Sequence, residues 1–349
     1  MEKKIILVGC GNIGSRHLQA IAKLPYGIKV DIVEPNDDAQ NLAKSRLDEI
    51  SFNKTDHKFS WYKSISELTD TGDITIVTTY SVGRVNLIIE LMNKGNRRFL
   101  IEKMVWQSVN EYNHILEELK NHNGKAWVNI TPRCFKSYRK IKEFLPKEKA
   151  INFSVKTNSK NGLGTNAIHY IDLFSWLIED NKIILDGKSL SDELLANKRG
   201  ANLKEFSGTI TGIANDDSSL SITFLPELHD EIIVEISIDT IKILIDETNG
   251  KITTSGLTYN GDLEFTYEHV SSTSTEIINN ILQDDNCQLP TLLDSLNGHS
   301  ELFRIFNAHI TKISKENVEL CPITWKKSIK NMTNWREFNL THLKTSQFS

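Results

Sequence analysis

Three glycines, Gly9, Gly11 and Gly14, follow the apolar run Ile5 to Val8 and open a stretch whose apolar residues, Leu18, Ile21 and Ala22, recur at helical spacing. No other feature constrains the fold as strongly. Ile5–Val8 is short, uninterrupted and rich in branched residues, the pattern of a parallel strand buried on both faces. The glycines therefore lie where a strand turns into a helix. There Gly9 permits a tight turn, a bare Gly11 lets a pyrophosphate approach the backbone, and Gly14 lets the helix pack against the strand. The first turn of that helix offers N–H groups and the positive end of a dipole. Gly9, Cys10, Gly11, Asn12, Ile13 and Gly14 thus form a candidate dinucleotide cradle. A second apolar run, Lys29 to Val33, ends in Glu34, twenty residues past Gly14. An acidic residue there accepts both ribose hydroxyls of an adenosine and repels a 2′-phosphate, which favours NAD over NADP.

The 349 residues are many for a single core, so two domains are expected. A hydrophobic content of 39%, a charged content of 25% and a net charge of −4 are those of a soluble globular protein. No basic stripe interleaved with aromatics points to nucleic acid, and Arg97-Arg98 and Lys326-Lys327 read as solvated surface. No apolar stretch approaches the roughly 20 residues that span a bilayer, and the N-terminus does not read as a signal peptide. The four cysteines, Cys10, Cys134, Cys287 and Cys321, are scattered; they imply neither a zinc site nor a disulfide framework, and a cytoplasmic setting fits. Cys10 reads as a small residue filling the glycine turn rather than as a reactive thiol.

Strand and helix patterns alternate up to about residue 130. Strands are expected at 73–79, 97–103 and in "KAWVNI", and helices over 37–50, 82–94 and 108–121, the last opened by Ser108 with Glu111 as a capping box. "FSWYKSISEL" holds a short strand and a helical turn. The alternation implies a doubly wound parallel sheet over residues 1–130. Residues 131–349 read differently, as an α+β domain with a large open, mainly antiparallel sheet. After a strand at 151–157 and a helix at 167–177 come strand-like runs at "SGTITGIA", "SLSITFL", "EIIVEISI", "TIKILID" and "LEFTYEHV", separated by turns. Residues 186–205 read as a long polar loop. Helices are expected at 273–284 and 290–314, and the tail beyond 340 as weakly docked. An outer sheet face, if apolar, would call for a partner copy.

Two places offer groups that exchange a proton with a substrate. Glu102-Lys103 ends the strand "RRFLIEK", at the carboxyl edge where open parallel sheets bind ligands. Thr79 and Tyr80 end the preceding strand at the same edge, and with Glu102 are candidate cofactor contacts. Lys103 is either a donor to a substrate oxygen or an ordinary surface lysine. In "GLGTNAIHYIDLFSWL", a helix would put Thr165, His169 and Asp172 on one face. His169 titrates near neutrality unless perturbed. Asp172 either orients it or ties the helix elsewhere; the competing role for His169 is a core-edge histidine. No metal-ligand cluster is evident.

Taken in order, "GCGNIGSRH" with His17, Glu34, the Glu102-Lys103 pair and "HYID" resemble the Gfo/Idh/MocA family of oxidoreductases, along the whole chain. The resemblance implies an NAD(P)-binding Rossmann domain and an α/β domain whose open sheet builds homodimers or homotetramers. It implies oxidation or reduction of hydroxyls on sugars, inositols or nucleotide-activated sugars, including acidic ones. It casts Lys103 as the substrate-oxygen contact and His169 as the proton-transfer group, with Asn129 and Arg133 opening the crossover to the second domain. Three departures matter. Met104 stands where the family has proline, which implies a looser loop. Thr165 stands where the family often has a carboxylate. Tyr80 and Arg84 occupy the segment where the family tends to have Pro and His; Arg84 either contacts an anionic substrate or, as favoured here, is a solvated helix residue. Thr165 and Met104 leave open a dinucleotide-binding regulatory protein without catalysis. An NAD-dependent epimerase or eliminase with no net redox change is a further alternative.

Overall fold

The computed structural model describes residues 2–51, 57–146, 149–197, 200–256, 264–268 and 270–321; Lys326-Lys327 and the tail beyond 340 lie outside them. The first sheet is built from β1 (Lys3–Val8), β2 (Ile28–Val33), β3 (Lys58–Tyr62), β4 (Ile74–Val77), β5 (Arg98–Ile101) and β6 (Lys125–Val128). All pairs are parallel and the order is β3-β2-β1-β4-β5-β6, a doubly wound sheet. Connecting helices are α1 (Gly14–Ala22), α2 (Asp37–Asp48), α3 (Arg84–Asn93) and α4 (Val109–Asn121). The continuous apolar run of β1 is explained by its two covered faces. Ile5 and Leu7 join a cluster with Leu18 and Ile21 of α1, while Ile6 and Val8 join another with Ile88 and Leu91 of α3 and Ile115 of α4. Ser108 caps α4 by accepting from Glu111 N at 3.2 Å, and Glu111 accepts from Gln107 N at 2.7 Å.

After a crossover through α5 (Lys136–Phe144), the chain forms β7 (Asn152–Asn158), α6 (Leu163–Ile178) and β8 (Ile183–Leu190), then β9 (Leu195–Asn197) and β10 (Gly200–Glu205). The segment 186–205, expected as a loop, is therefore the end of one strand and a hairpin, pairings that its polar composition hid. There follow β11 (Gly208–Ala214), β12 (Ser219–Leu225), β13 (Ile233–Ile238), β14 (Ile241–Asp246) and β15 (Lys251–Ser255). Seven strands form a second sheet, β15-β14-β13-β7-β12-β11-β8, antiparallel except for β7 against β12. "LEFTYEHV" is not a strand where it is described. Glu264 makes only an isolated bridge to Lys251, and Val270 already opens α7 (Val270–Asp284). The fifth expected strand is instead β15.

One face of this sheet buries Phe153, Val155, Leu220, Ile222 and Phe224 in the larger apolar cluster, with Tyr170 and Phe174 of α6 packed edge-on or tilted against Phe224 and Phe153. The opposite face carries Ser154, Ser221, Thr223 and Ser237, half-buried, with Ile184, Ile213 and Leu244 exposed among them. It is polar rather than apolar. α8 (Leu296–Ser314) lies along β8 and satisfies its outer edge: Ile183 N donates to Asn297 Oδ1 and Leu185 N to Glu301 Oε2.

α7 returns to the first sheet and packs on α1, where Thr275 Oγ1 donates to Ala20 O and Tyr26 OH to Asn279 Oδ1. Val128 N donates to Pro290 O and Leu292 N to Ala126 O, extending that contact. Arg98 is not solvated surface but half-buried, paired with Asp285 at 2.5 Å; Arg97 holds the Met92 and Asn96 carbonyls. No described helix is long and apolar enough to cross a membrane.

Candidate active site

The glycine turn has the shape its spacing requires. Gly9 adopts φ +85°, a conformation that side chains disfavour. A Cβ on Gly14 would lie 2.2 Å from Gly9 O and 2.7 Å from Thr78 Oγ1, so α1 can start here only without a side chain. A Cβ on Gly11 would meet nothing within 4 Å, so the space above the turn is open to a phosphate. Glu34, at the end of β2, accepts from Cys10 N at 2.7 Å and from Asn36 N at 3.0 Å, which sets its carboxylate beside the turn. The Cys10 side chain is in the core; burial and the charge of Glu34 push its thiol up to about 12, so it is no reactive thiol. Asn12 and Ile13 are exposed at the rim. Sequence reasoning missed Arg46 of α2, which braces this turn by donating to Asn12 O at 2.8 Å and Ser15 Oγ at 2.7 Å.

At the neighbouring strand ends, Thr79 is half-buried against Gly9 and Tyr80 is 61% exposed. Buried Glu102 accepts from His17 Nε2 at 2.9 Å and from Asn129 Nδ2 at 2.5 Å. Burial alone would raise its carboxyl. The hydrogen bonds from His17 and Asn129 and the charges of His17 and Lys103 outweigh that and hold it below the usual carboxylate range. Arg84 is neither a solvated residue nor a substrate-facing one. It is 2% exposed, and its guanidinium donates to the carbonyls of Glu102, Met104 and Val105 at 2.5–3.0 Å and to that of Thr79. Met104 itself is buried. The loop after β5 is thus pinned by three carbonyl contacts, with the fourth tying it to the end of β4, and is not loosened by the missing proline. A buried arginine among apolar helix residues gives no periodic signal that it points inward.

Lys103 is half-buried and reaches α6, with Nζ 2.8 Å from Thr165 O and 2.7 Å from Asn166 Oδ1. That contact joins the first sheet to the second half of the chain. Asn166 was not singled out in the sequence; its side chain also donates to Asn161 O at 2.5 Å. His169 is half-buried one turn further along α6. Two of the three residues expected to share a face, Thr165 and Asp172, have separate partners. Thr165 Oγ1 donates to Glu205 Oε2 at 2.9 Å. Asp172 does not orient His169: it takes a two-pronged ion pair from Arg133, at 2.7 and 2.6 Å. Burial pushes the Asp172 carboxyl up to about 6 even though the Arg133 charge opposes the shift. Arg133, at the crossover, therefore anchors α6. Glu205 was missed because it lies in the stretch read as a loop, forty residues from Thr165.

Residues 3–130 match the family model described as "Oxidoreductase family, NAD-binding Rossmann fold" (GFO_IDH_MocA). No curated protein matches the chain significantly in sequence. Solved structures match most of it in fold. UDP-N-acetylglucosamine 3-dehydrogenase GnnA from Acidithiobacillus ferrooxidans is 13% identical, with a TM-score of 0.63 over 89% of this chain and 97% of its own. The WlbA dehydrogenase from Bordetella pertussis, solved with NADH and UDP-GlcNAcA, is 14% identical, with a TM-score of 0.62 over 87% and 95%. Biliverdin reductase from Synechocystis sp. PCC 6803, solved with biliverdin and NADP+, is 10% identical, with a TM-score of 0.65 over 86% and 98%. At these identities the likeness is one of fold. Residues 3–130 therefore match the NAD-binding Rossmann unit of the Gfo/Idh/MocA oxidoreductase family, and the chain as a whole shares the fold of a solved Gfo/Idh/MocA family oxidoreductase from Vibrio cholerae.

Proposed function

We propose that the protein is an NAD(H)-dependent oxidoreductase that interconverts a hydroxyl and a ketone on a sugar, inositol or nucleotide-activated sugar. The observation that carries this reading is the position of the Lys103 ammonium. Lys103 follows β5 at the carboxyl edge of the parallel sheet, and its ammonium is held by the same helix that bears His169. Gly11 and the start of α1 fit a pyrophosphate, and Glu34 fits the hydroxyls of an adenosine ribose, which favours NAD over its phosphorylated relative. The nicotinamide supplies a hydride acceptor or donor. Lys103 donates a hydrogen bond to the substrate oxygen and stabilises negative charge on it, while His169 takes or returns the oxygen's proton. The His17–Glu102–Asn129 contacts hold the preceding carboxylate in place, and Arg84 holds the backbone that carries Lys103.

Two departures from the family pattern, Thr165 and Met104, leave open a protein without catalysis. Against that, a carboxylate meets Thr165 from β10, and an arginine steadies the loop that lacks proline. The sugar class follows from the resemblance and from what GnnA and WlbA are named for. Calorimetry should show NADH binding more tightly than NADPH, with Glu34→Ala narrowing the gap. Incubation with NAD and a panel of UDP-sugars, free sugars and inositols, followed by nicotinamide absorbance and NMR of products, identifies the substrate and separates net oxidation from epimerisation or elimination. Absence of binding by either reduced cofactor would sink the reading.

A further inference from the structure

The chain contains a buried carboxylate that the reaction scheme above does not use. Glu205, at the end of β10, is 3% exposed and lies against the first turn of α6. Its Oε1 accepts from Gly164 N at 2.5 Å and from Phe206 N at 3.0 Å, and its Oε2 from the Thr165 hydroxyl at 2.9 Å. Two glycines make room for it. A Cβ on Gly162 would come within 2.7 Å of Oε2, and one on Gly164 within 2.6 Å of Oε1. These partners are all donors, so the site is shaped for the ionised, acceptor-only form of the side chain. Helix N-termini stabilise negative charge, and no residue of the first turn of α6 is acidic. Thr165 carries the link onward: its hydroxyl binds Glu205 while its carbonyl accepts from Lys103 Nζ at 2.8 Å, with Asn166 Oδ1 at 2.7 Å from the same ammonium.

We infer that Glu205 is a positioning residue for Lys103: its carboxylate fixes the first turn of α6 through Gly164 and Thr165 and supplies negative charge that favours the ammonium form of Lys103. The inference rests on the proposed role of Lys103 at the substrate oxygen. It deepens that role by explaining what keeps a half-buried lysine charged and aimed. Burial pushes the Glu205 carboxyl above its ordinary range, against the hydrogen bonds from Phe206, Thr165 and Gly164. The Glu102 carboxylate also faces the Lys103 ammonium and is left unaltered in the test.

The test uses the full chain and needs no substrate. Competitive labelling with acetic anhydride, read by mass spectrometry across pH, gives the titration midpoint of Lys103. Glu205→Gln keeps the shape: its amide oxygen can serve the Gly164 and Phe206 N–H groups, and its NH2 can face a Thr165 hydroxyl turned to the Gly162 carbonyl, 3.4 Å away. In this variant the midpoint should fall by roughly half a pH unit or more, because a nearby negative charge is gone. Glu205→Ala should shift it at least as far and speed labelling at neutral pH several-fold. Thr165→Val, which cuts the side-chain link but keeps the carboxylate, should free Lys103 for faster labelling with a smaller shift. A Lys103 midpoint that stays put in a folded Glu205→Gln protein overturns the proposal, even if thermal stability drops, since a purely structural cap would do only the latter. NADH affinity measured on the same samples keeps the two ideas apart. Loss of NADH binding in the unaltered chain defeats the oxidoreductase reading, whereas the Lys103 midpoint reports on the Glu205 link alone.

Discussion

Gly11 and Gly14 sit in one turn, yet they fail in opposite ways when substituted. Gly11 lies outside the left-handed region and its missing Cβ faces open space, so Gly11→Val should leave the melting temperature nearly unchanged and abolish NADH binding in calorimetry. Gly14→Ala drives a methyl into the Gly9 carbonyl and should cost about 1–3 kcal/mol in denaturant unfolding, in the range of other overpacked sites. Lys103→Ala separates binding from chemistry. It should retain NADH affinity while turnover on the identified substrate falls by about two orders of magnitude or more, the scale of one lost hydrogen-bond donor at a developing oxyanion. Equal turnover in that variant would remove Lys103 from the mechanism.

At the scale of elements, two buried charges hold segments that carry site residues. Arg84, on α3, is the donor for carbonyls on both sides of Lys103, so Arg84→Met leaves them without it. The variant should lose at least about 2 kcal/mol of stability and bind NADH more weakly, as seen by thermal unfolding with and without cofactor. Glu247 follows β14 and accepts from Tyr138 of α5 at 2.5 Å and from Tyr170 of α6 at 3.1 Å. Burial pushes its carboxyl up to about 7, although both tyrosine hydrogen bonds oppose the rise. A carboxyl raised on folding stabilises the fold fully below its unfolded value near 4.5, and this contribution is lost as pH rises through 7. Relative to Glu247→Gln, the unaltered protein should therefore lose on the order of 3 kcal/mol between pH 4.5 and 7. A difference that does not vary over that window would show that Glu247 does not titrate there.

For the whole molecule, the two sheets are joined by more than the crossover. α7 and residues 290–292 come back to the first sheet, and the Arg133–Asp172 pair ties the crossover to α6. We propose that copies of the chain associate through the outer face of the seven-stranded sheet. That face is largely Ser and Thr, but Ile184 and Ile213 are cross-strand neighbours and are 74% and 61% exposed. Light scattering should give a dimer or tetramer, and Ile184→Asp with Ile213→Asp should give a monomer that still binds NADH. An unaltered chain that is monomeric at micromolar concentration would end this proposal.

The sequence by itself determined the parallel sheet, the glycine turn, Glu34 and the location of Lys103 at a strand end. These follow from local rules, because strand burial, helical periodicity and turn chemistry are written in neighbouring residues. It also marked most of the second sheet, where apolar and polar residues alternate. Only the tertiary structure decided which partner each charged group takes. Arg84 turns inward to four carbonyls, Asp172 chooses Arg133 over His169, and Glu205 reaches Thr165 across forty residues. Such pairings have no sequence period, since a buried charge is settled by whichever donor or acceptor the folded chain brings within about 3 Å of it.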